Sequence, residues 1–262
     1  MKFKIGMQAL NHGNIDACAK AMKTMKEVGF DACFLPVNPQ NPEHWKALCN
    51  IAREIGLEID ELHAPFSNIN RIWYDEPVGE PVMQMLLDSI DVTARCGVSR
   101  MVIHECANRI GPDMSNAGLA RFRKIIAYGK EKGVRVCVEN LRRTNSLARV
   151  LDQNRDLGVG YCWDCGHELC YTPGVNHVAI FGDLLACTHI HDNRGIYMGD
   201  DHMLPFDGNT DWETKAKLIK KSGYTGILCG ELAKDRFYAD WTDEDFIKEA
   251  YKRMKKFAEM CE

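Results

Sequence analysis

The sequence predicts an α/β fold, a single-domain (β/α)8 barrel, on three observations. Eight short, mostly apolar runs alternate from end to end with stretches of helical period, the pattern of βα units around a parallel sheet. The 262 residues match the roughly 250 that such a barrel needs. Titratable side chains gather just after the apolar runs, where the ends of barrel strands would meet around one pocket.

The expected strands are Phe3–Met7, Ala32–Leu35, Glu58–Leu62, Met101–Ile103, Val134–Val138, Val159–Trp163, Cys187–Ile190 and Gly226–Gly230. Short apolar runs of this kind suit strands covered on both faces. Between them, Ile15, Cys18, Ala19, Met22 and Met25 form one helical stripe, and Phe246, Ala250, Met254, Phe257 and Cys261 another. Asn41-Pro42 reads as a cap followed by a first-turn proline. Thr210 to Glu213 has capping-box spacing, and Thr242 to Asp245 resembles it with a shorter acid. No low-complexity segment or Gly/Ser linker interrupts the pattern, so residues 1–262 are expected to form one domain. The longest irregular connections, Ala64–Glu80 and Asp192–Asn209, both follow strands and would line the active face.

Composition narrows the function. The 45% hydrophobic and 27% charged fractions are ordinary for a globular protein. No apolar run approaches the roughly 20 residues that span a bilayer, so a membrane partner is not expected. MKFKIGMQAL begins at once with strand-like alternation and lacks the features of a secretory signal, which predicts a cytoplasmic location. The twelve cysteines fall on core-like positions such as Cys33, Cys137 and Cys229; Cys162 and Cys165 have CxxC spacing without a second pair, and structural thiols are expected. A net charge of −4 offers no global attraction to polyanions. A small substrate is therefore favoured and no nucleic-acid partner is expected.

Of the nine histidines, His63, His104, His167, His189, His191 and His202 lie at strand ends or in the loops beyond, whereas His12, His44 and His177 read as ordinary structural residues. The same edge carries Glu139 closing RVCVEN, Asp164 closing GYCWD and Glu231 closing GILCGE. Taken singly, a strand-end carboxylate is more often solvated or capping a helix. Around one barrel mouth, however, three carboxylates and several imidazoles would repel or stay unsatisfied unless a cation organised them. His63 and His104 suit either a metal or a substrate hydroxyl. His189 and His191, two apart, can face the same side of a strand.

These residues occur in an ordered set of short motifs: LHAPF, IHEC, VENL, WDCGH, THIHDN, the Asp200–His202 DxH and GEL. The set resembles the xylose isomerase-like TIM barrels, which include sugar epimerases and isomerases, inosose and dehydroshikimate dehydratases, and endonuclease IV. That resemblance implies a metal-dependent isomerase or epimerase acting on a small sugar or sugar phosphate. One divalent cation would be held by Glu139, Asp164, His191 and Glu231, with Mn2+ favoured and Mg2+, Co2+ or Zn2+ as alternatives. His191 is preferred to His189 because the second histidine of THIHDN resembles the epimerase ligand. Glu139 and Glu231 would act as acid and base on an enediolate. Substrate contacts would come from His63, His104, His167, His202, Arg194 and Trp73, where Trp73 either closes the pocket or packs its own loop. The same chemistry could expel a hydroxyl, as in the dehydratases. Related barrels often pair, which leaves a homo-oligomer open.

The resemblance also implies a rival. Endonuclease IV uses three zinc ions, and the chain offers a counterpart for every ligand: His63, His104, Glu139, Asp164, His167, His189, Asp200, His202 and Glu231. Against cleavage of abasic DNA stand the Asp164–His167 and Asp207–Trp212 segments, whose context looks more like the sugar enzymes. The loop cations are also sparse, mainly Arg71, Arg109, Arg142, Arg143 and Arg194.

Overall fold

The computed structural model describes residues 2–107 and 112–262, so Arg109 lies outside the described residues. Eight strands form one parallel sheet: β1 (Ile5–Gln8), β2 (Ala32–Pro36), β3 (Glu58–His63), β4 (Arg100–Ile103), β5 (Arg135–Glu139), β6 (Gly160–Asp164), β7 (Leu185–His189) and β8 (Leu228–Gly230). Neighbours follow chain order from β1 to β7, and β8 pairs back onto β1 with Ile5 opposite Leu228. Helices between the strands cover the outside. The fold is a (β/α)8 TIM barrel.

Closure between β7 and β8 is irregular. Thr188 Oγ1 accepts from the Cys229 amide at 3.0 Å, and Ile190 donates to the Cys229 carbonyl at 2.8 Å. A side chain thus takes one rung of the ladder, and β7 ends at His189 instead of running to the expected Ile190. Among the described residues, no helix is long and apolar enough to cross a membrane.

The helical stripes were legible with one correction, and two of the expected caps differ. In Ile15–Val28 the buried face is Cys18, Ala21, Met22 and Met25, while Ile15 is exposed because it opens the helix beside its Asn14 cap. In Trp212–Ser222 the cap is Asp211, which accepts from the Thr214 amide at 3.1 Å; the expected box at Thr210 is one residue early. Thr242 caps Asp243–Cys261 as expected, accepting from the Asp245 amide. Pro42 does open its helix, but Asn41 makes no side-chain cap bond. All twelve cysteines are unpaired and buried. Desolvation raises most of their thiols, Cys165 among them, which keeps them protonated.

One buried ion pair bolts the functional edge to the outer helices. Cys165–Cys170 is a single short helix after β6, and its Glu168 is buried against Lys215 of Trp212–Ser222. The same carboxylate accepts from the His177 amide at 2.6 Å, while His177 Nε2 meets Thr144 Oγ1 at 3.1 Å. His177 is thus a structural residue, as expected. Glu168→Ala should cost about 3–5 kcal/mol, because Lys215 would keep a buried, unpaired charge. Urea unfolding measures it; a loss under 1 kcal/mol would show that Lys215 finds water.

Candidate active site

Strand alternation decides which side chains enter the barrel mouth. Glu61 and His63 on β3 share a face, as do Cys162 and Asp164 on β6. His104 and Glu231 directly follow β4 and β8, Glu139 ends β5, and His189 ends β7. These groups meet below a cavity of about 900 Å³. Phe66, Arg142, Tyr171 and Met198 form part of its wall.

Glu139 is the hub. Its Oε2 lies 3.2 Å from His63 Nε2, 3.2 Å from His104 Nε2 and 3.4 Å from His189 Nδ1, and its Oε1 lies 3.0 Å from His167 Nδ1. His189 Nδ1 is also 3.2 Å from Glu231 Oε2. Yet His189 Nδ1 and Glu139 Oε1 are buried without any hydrogen-bond partner. Donor atoms that crowd together without bonding one another point at a common centre, which suits a cation.

The possible ligand atoms fall into groups that each lie within 4.8 Å, of which three cover most of the site: His63, His104 and Glu139; Glu139, Asp164, His189 and Glu231, which shares Glu139 with the first; and, separately, His167, His191, Asp200 and His202. The structure therefore groups His189, not His191, with the three carboxylates. His189 is fixed from behind by Glu61, whose Oε1 lies 3.0 Å from Nε2. His191 turns to the other side of Asp164, with Nε2 2.9 Å from Oδ1, and stacks on His202 at 4.1 Å.

Electrostatics follow from this crowding. Burial alone would raise the Glu139 carboxyl, but His104 and His189 bring it well below the usual carboxylate range. Glu231 is likewise driven down against burial by His189 and His202. Burial opposes charge on His202, but Asp200 and Glu231 push it up to about 10; against the same burial, His167 is raised well above its ordinary value by Asp164 and Asp200, and His189 by Cys162 together with Glu231, Glu139 and Glu61. His104 is lowered, since burial there outweighs Glu139. Protons on His167, His189 and His202 balance the carboxylates, and a bound divalent cation would displace them.

Asp200 and His202 reach the mouth from the long 192–209 loop. His167 Nε2 and His202 Nε2 each lie 3.1 Å from Asp200 Oδ2. The loop is pinned by Asp192, which accepts from the Gly208 and Thr210 amides and from Trp212 Nε1.

Glu139, Asp164, Glu231, His63, His104, His167 and His202 thus come together as anticipated. Arg194 does not line the cavity; Asp201 holds it with two contacts of 3.0 Å, and it lies over the Phe237 ring. Trp73 anchors its loop to the next βα unit, donating to the Glu105 carbonyl at 2.7 Å and packing against Phe122 of the helix Asn116–Glu131. Glu61, Tyr171 and Phe66 escaped the sequence reading, and Cys162, read there as a structural thiol, lies beside Glu139 and His189. Glu61 carried a usable signal, its two-residue spacing from His63.

Gly166 is where the backbone must come close: a Cβ there would sit 2.1 Å from His191 Cε1. Gly166→Ala should displace His191 from Asp164 and cost about 1–3 kcal/mol by overpacking. Thermal denaturation checks it, and an unchanged midpoint would mean that His191 can move freely.

The chain matches the family model described as xylose isomerase-like TIM barrel over residues 22–257. It is 32% identical over 169 residues to "Uncharacterized protein y4fM" of Sinorhizobium fredii, covering 59% of this chain and 54% of that one, so it spans about half that relative's length. It is 28% identical over 216 residues to "Probable endonuclease 4" of Mycobacterium leprae, covering 75% of this chain and 83% of the relative. A D-allulose 3-epimerase from Methylomonas sp., solved with D-allulose, superposes with a TM-score of 0.75 over 98% of each chain at 16% identity. That likeness is one of fold. By the extent of the family match, the chain belongs to the xylose isomerase-like TIM barrel family.

Proposed function

We propose that the protein is a divalent-metal-dependent isomerase or epimerase of a small sugar-like substrate. The observation that carries this reading is the pair Glu139 and Glu231. Both face the cavity, both are held ionised, and both approach His189. Glu139, Asp164, His189 and Glu231 would hold the cation; the unpartnered His189 Nδ1 and Glu139 Oε1 support that donor set. An oxygen-rich set with one imidazole suits Mn2+ first, with Mg2+, Co2+ and Zn2+ as alternatives. When bound, the cation would polarise neighbouring carbonyl and hydroxyl oxygens.

The chain's own groups do the proton chemistry. A glutamate kept as the anion can take the proton from the carbon beside a ketone; the other, once it has taken a proton from solvent, can return that proton to the opposite face, which epimerises the carbon, and the first glutamate then releases its proton to solvent. Transfer to the neighbouring carbon isomerises instead. Buried His167 and half-buried His202, both beside Asp200, are placed to hold hydroxyls, and the Phe66 ring, stacked on His104 at 4.4 Å, gives the cavity an apolar wall.

A second reading, metal-dependent phosphodiester hydrolysis, is favoured by the presence of several candidate ligand groups at one barrel mouth and by the likeness to endonuclease 4. Only one lysine or arginine, Arg142, lines the cavity among the described residues, and the net charge is −4. Tight binding to a polyanion needs several phosphate contacts, so the isomerase reading is preferred.

Added Mn2+ should raise the melting temperature of metal-stripped protein, since a ligand of the native state stabilises it. His189→Ala should abolish that gain, whereas His191→Ala should weaken Mn2+ binding about 10–100-fold by loosening Asp164. The reverse ranking would restore His191 as the ligand. In deuterated water a ketose substrate should acquire deuterium at carbon, and Glu139→Gln or Glu231→Gln should slow this at least about 100-fold, the scale of general acid–base catalysis. Incision of abasic DNA without carbon exchange would overturn the isomerase reading.

A further inference from the structure

We infer that Arg142 forms an oxyanion subsite in the cavity, so that the ligand carries a phosphate ester or a carboxylate; calling that ligand a sugar derivative rests on the isomerase reading above. Arg142 lies three residues beyond Glu139 and lines the same cavity as Glu139 and Glu231. Its guanidinium lies 3.9 Å from the centre of the Tyr171 ring. The Tyr171 hydroxyl in turn donates to Asp200 Oδ2 at 3.2 Å. The arginine is thus braced by the carboxylate that also meets His167 and His202.

What it lacks is a partner. Arg142 Nε is shielded from solvent and makes no hydrogen bond, and among the described residues no carboxylate lies within ion-pair distance of its guanidinium. Nearby acids are engaged elsewhere: Glu105 accepts from Cys106 Sγ and Ser146 Oγ, and Asp200 meets His167 and His202. By contrast, Arg194 of the 192–209 loop is matched with Asp201, and Arg121 with Glu80.

A cavity-lining cation without a counter-charge is costly, and a guanidinium offers a planar fork that fits two oxygens of one oxyanion. Stacking on Tyr171 fixes the plane of that fork before any ligand arrives, so little side-chain freedom is lost on binding. A sugar hydroxyl would satisfy one donor and leave the charge unmatched. The chemistry of the site therefore calls for an anion at this end of the cavity.

Titration calorimetry on the Mn2+-loaded protein with methyl phosphate and with acetate tests this directly and separates the two oxyanions. Arg142→Gln should weaken the better-bound probe at least about tenfold, and Arg142→Lys, a point charge without the fork, should recover part of the loss. Equal affinity in the wild type and Arg142→Gln would overturn the subsite. In the deuterium-exchange assay, Arg142→Gln should raise KM for a ketose phosphate or keto-acid more than for the matched neutral ketose. An equal effect on both would also count against it. If no sugar exchanges in any variant while Arg142→Gln still loses methyl phosphate or acetate binding, the isomerase reading falls and the oxyanion subsite stands.

Discussion

Glu139 is completely buried yet ionised, because His63, His104, His167 and His189 approach its two oxygens from four different strands or their ends. Placing an unpaired carboxylate there would cost several kcal/mol, so the fold must deliver its counter-charges accurately. A closed parallel barrel does this with little loop entropy. Each donor sits on or just beyond a strand whose register is set by its neighbours, as in Glu139 opposite Cys162 and Asp164 opposite His189. Barrel closure and charge balance are therefore one problem: a strand slipped by a single residue would turn its acid outward and leave the imidazoles unmatched.

The supporting groups follow the same logic one layer down. Glu61 meets the far nitrogen of His189, and Asn140 accepts from the Asp164 amide while its own amide donates to the Asp164 carbonyl. Tyr161 donates to Asn140 at 2.7 Å, so strands β5 and β6 are tied together immediately beneath the acids they carry. Such contacts orient the donor atoms before any ligand arrives, which is what makes a precise cation site affordable.

How far this could be read in advance depended on whether a signal was periodic. The eight strands and the acids closing them were legible because burial on both faces and the strand-end position leave a linear trace. His189 against His191 was not. Period-two alternation places both on one face, but β7 stops at His189, and Ile190 bridges to β8 beyond the Thr188 side-chain rung. The two imidazoles therefore diverge around Asp164. Arg194 and Trp73 carry no periodic signal of either kind, since a polar or aromatic residue in a loop after a strand can as well serve the loop itself.

The 192–209 loop shows what a linear reading cannot supply. Met198, His202 and Phe206 adopt φ of 64°, 49° and 74°, a conformation that costs a side-chain-bearing residue about 1 kcal/mol or more each. Nothing in their identities announces it. The conformation persists because Asp192 gathers three donors from residues 208–212, Arg194 pairs with Asp201, and Met203 bridges back to Asp192. Strain held in this way sets Asp200 and His202 above the barrel as firmly as strand-borne groups. The third ligand group can then share one rigid frame with the other two, although half its members come from a loop.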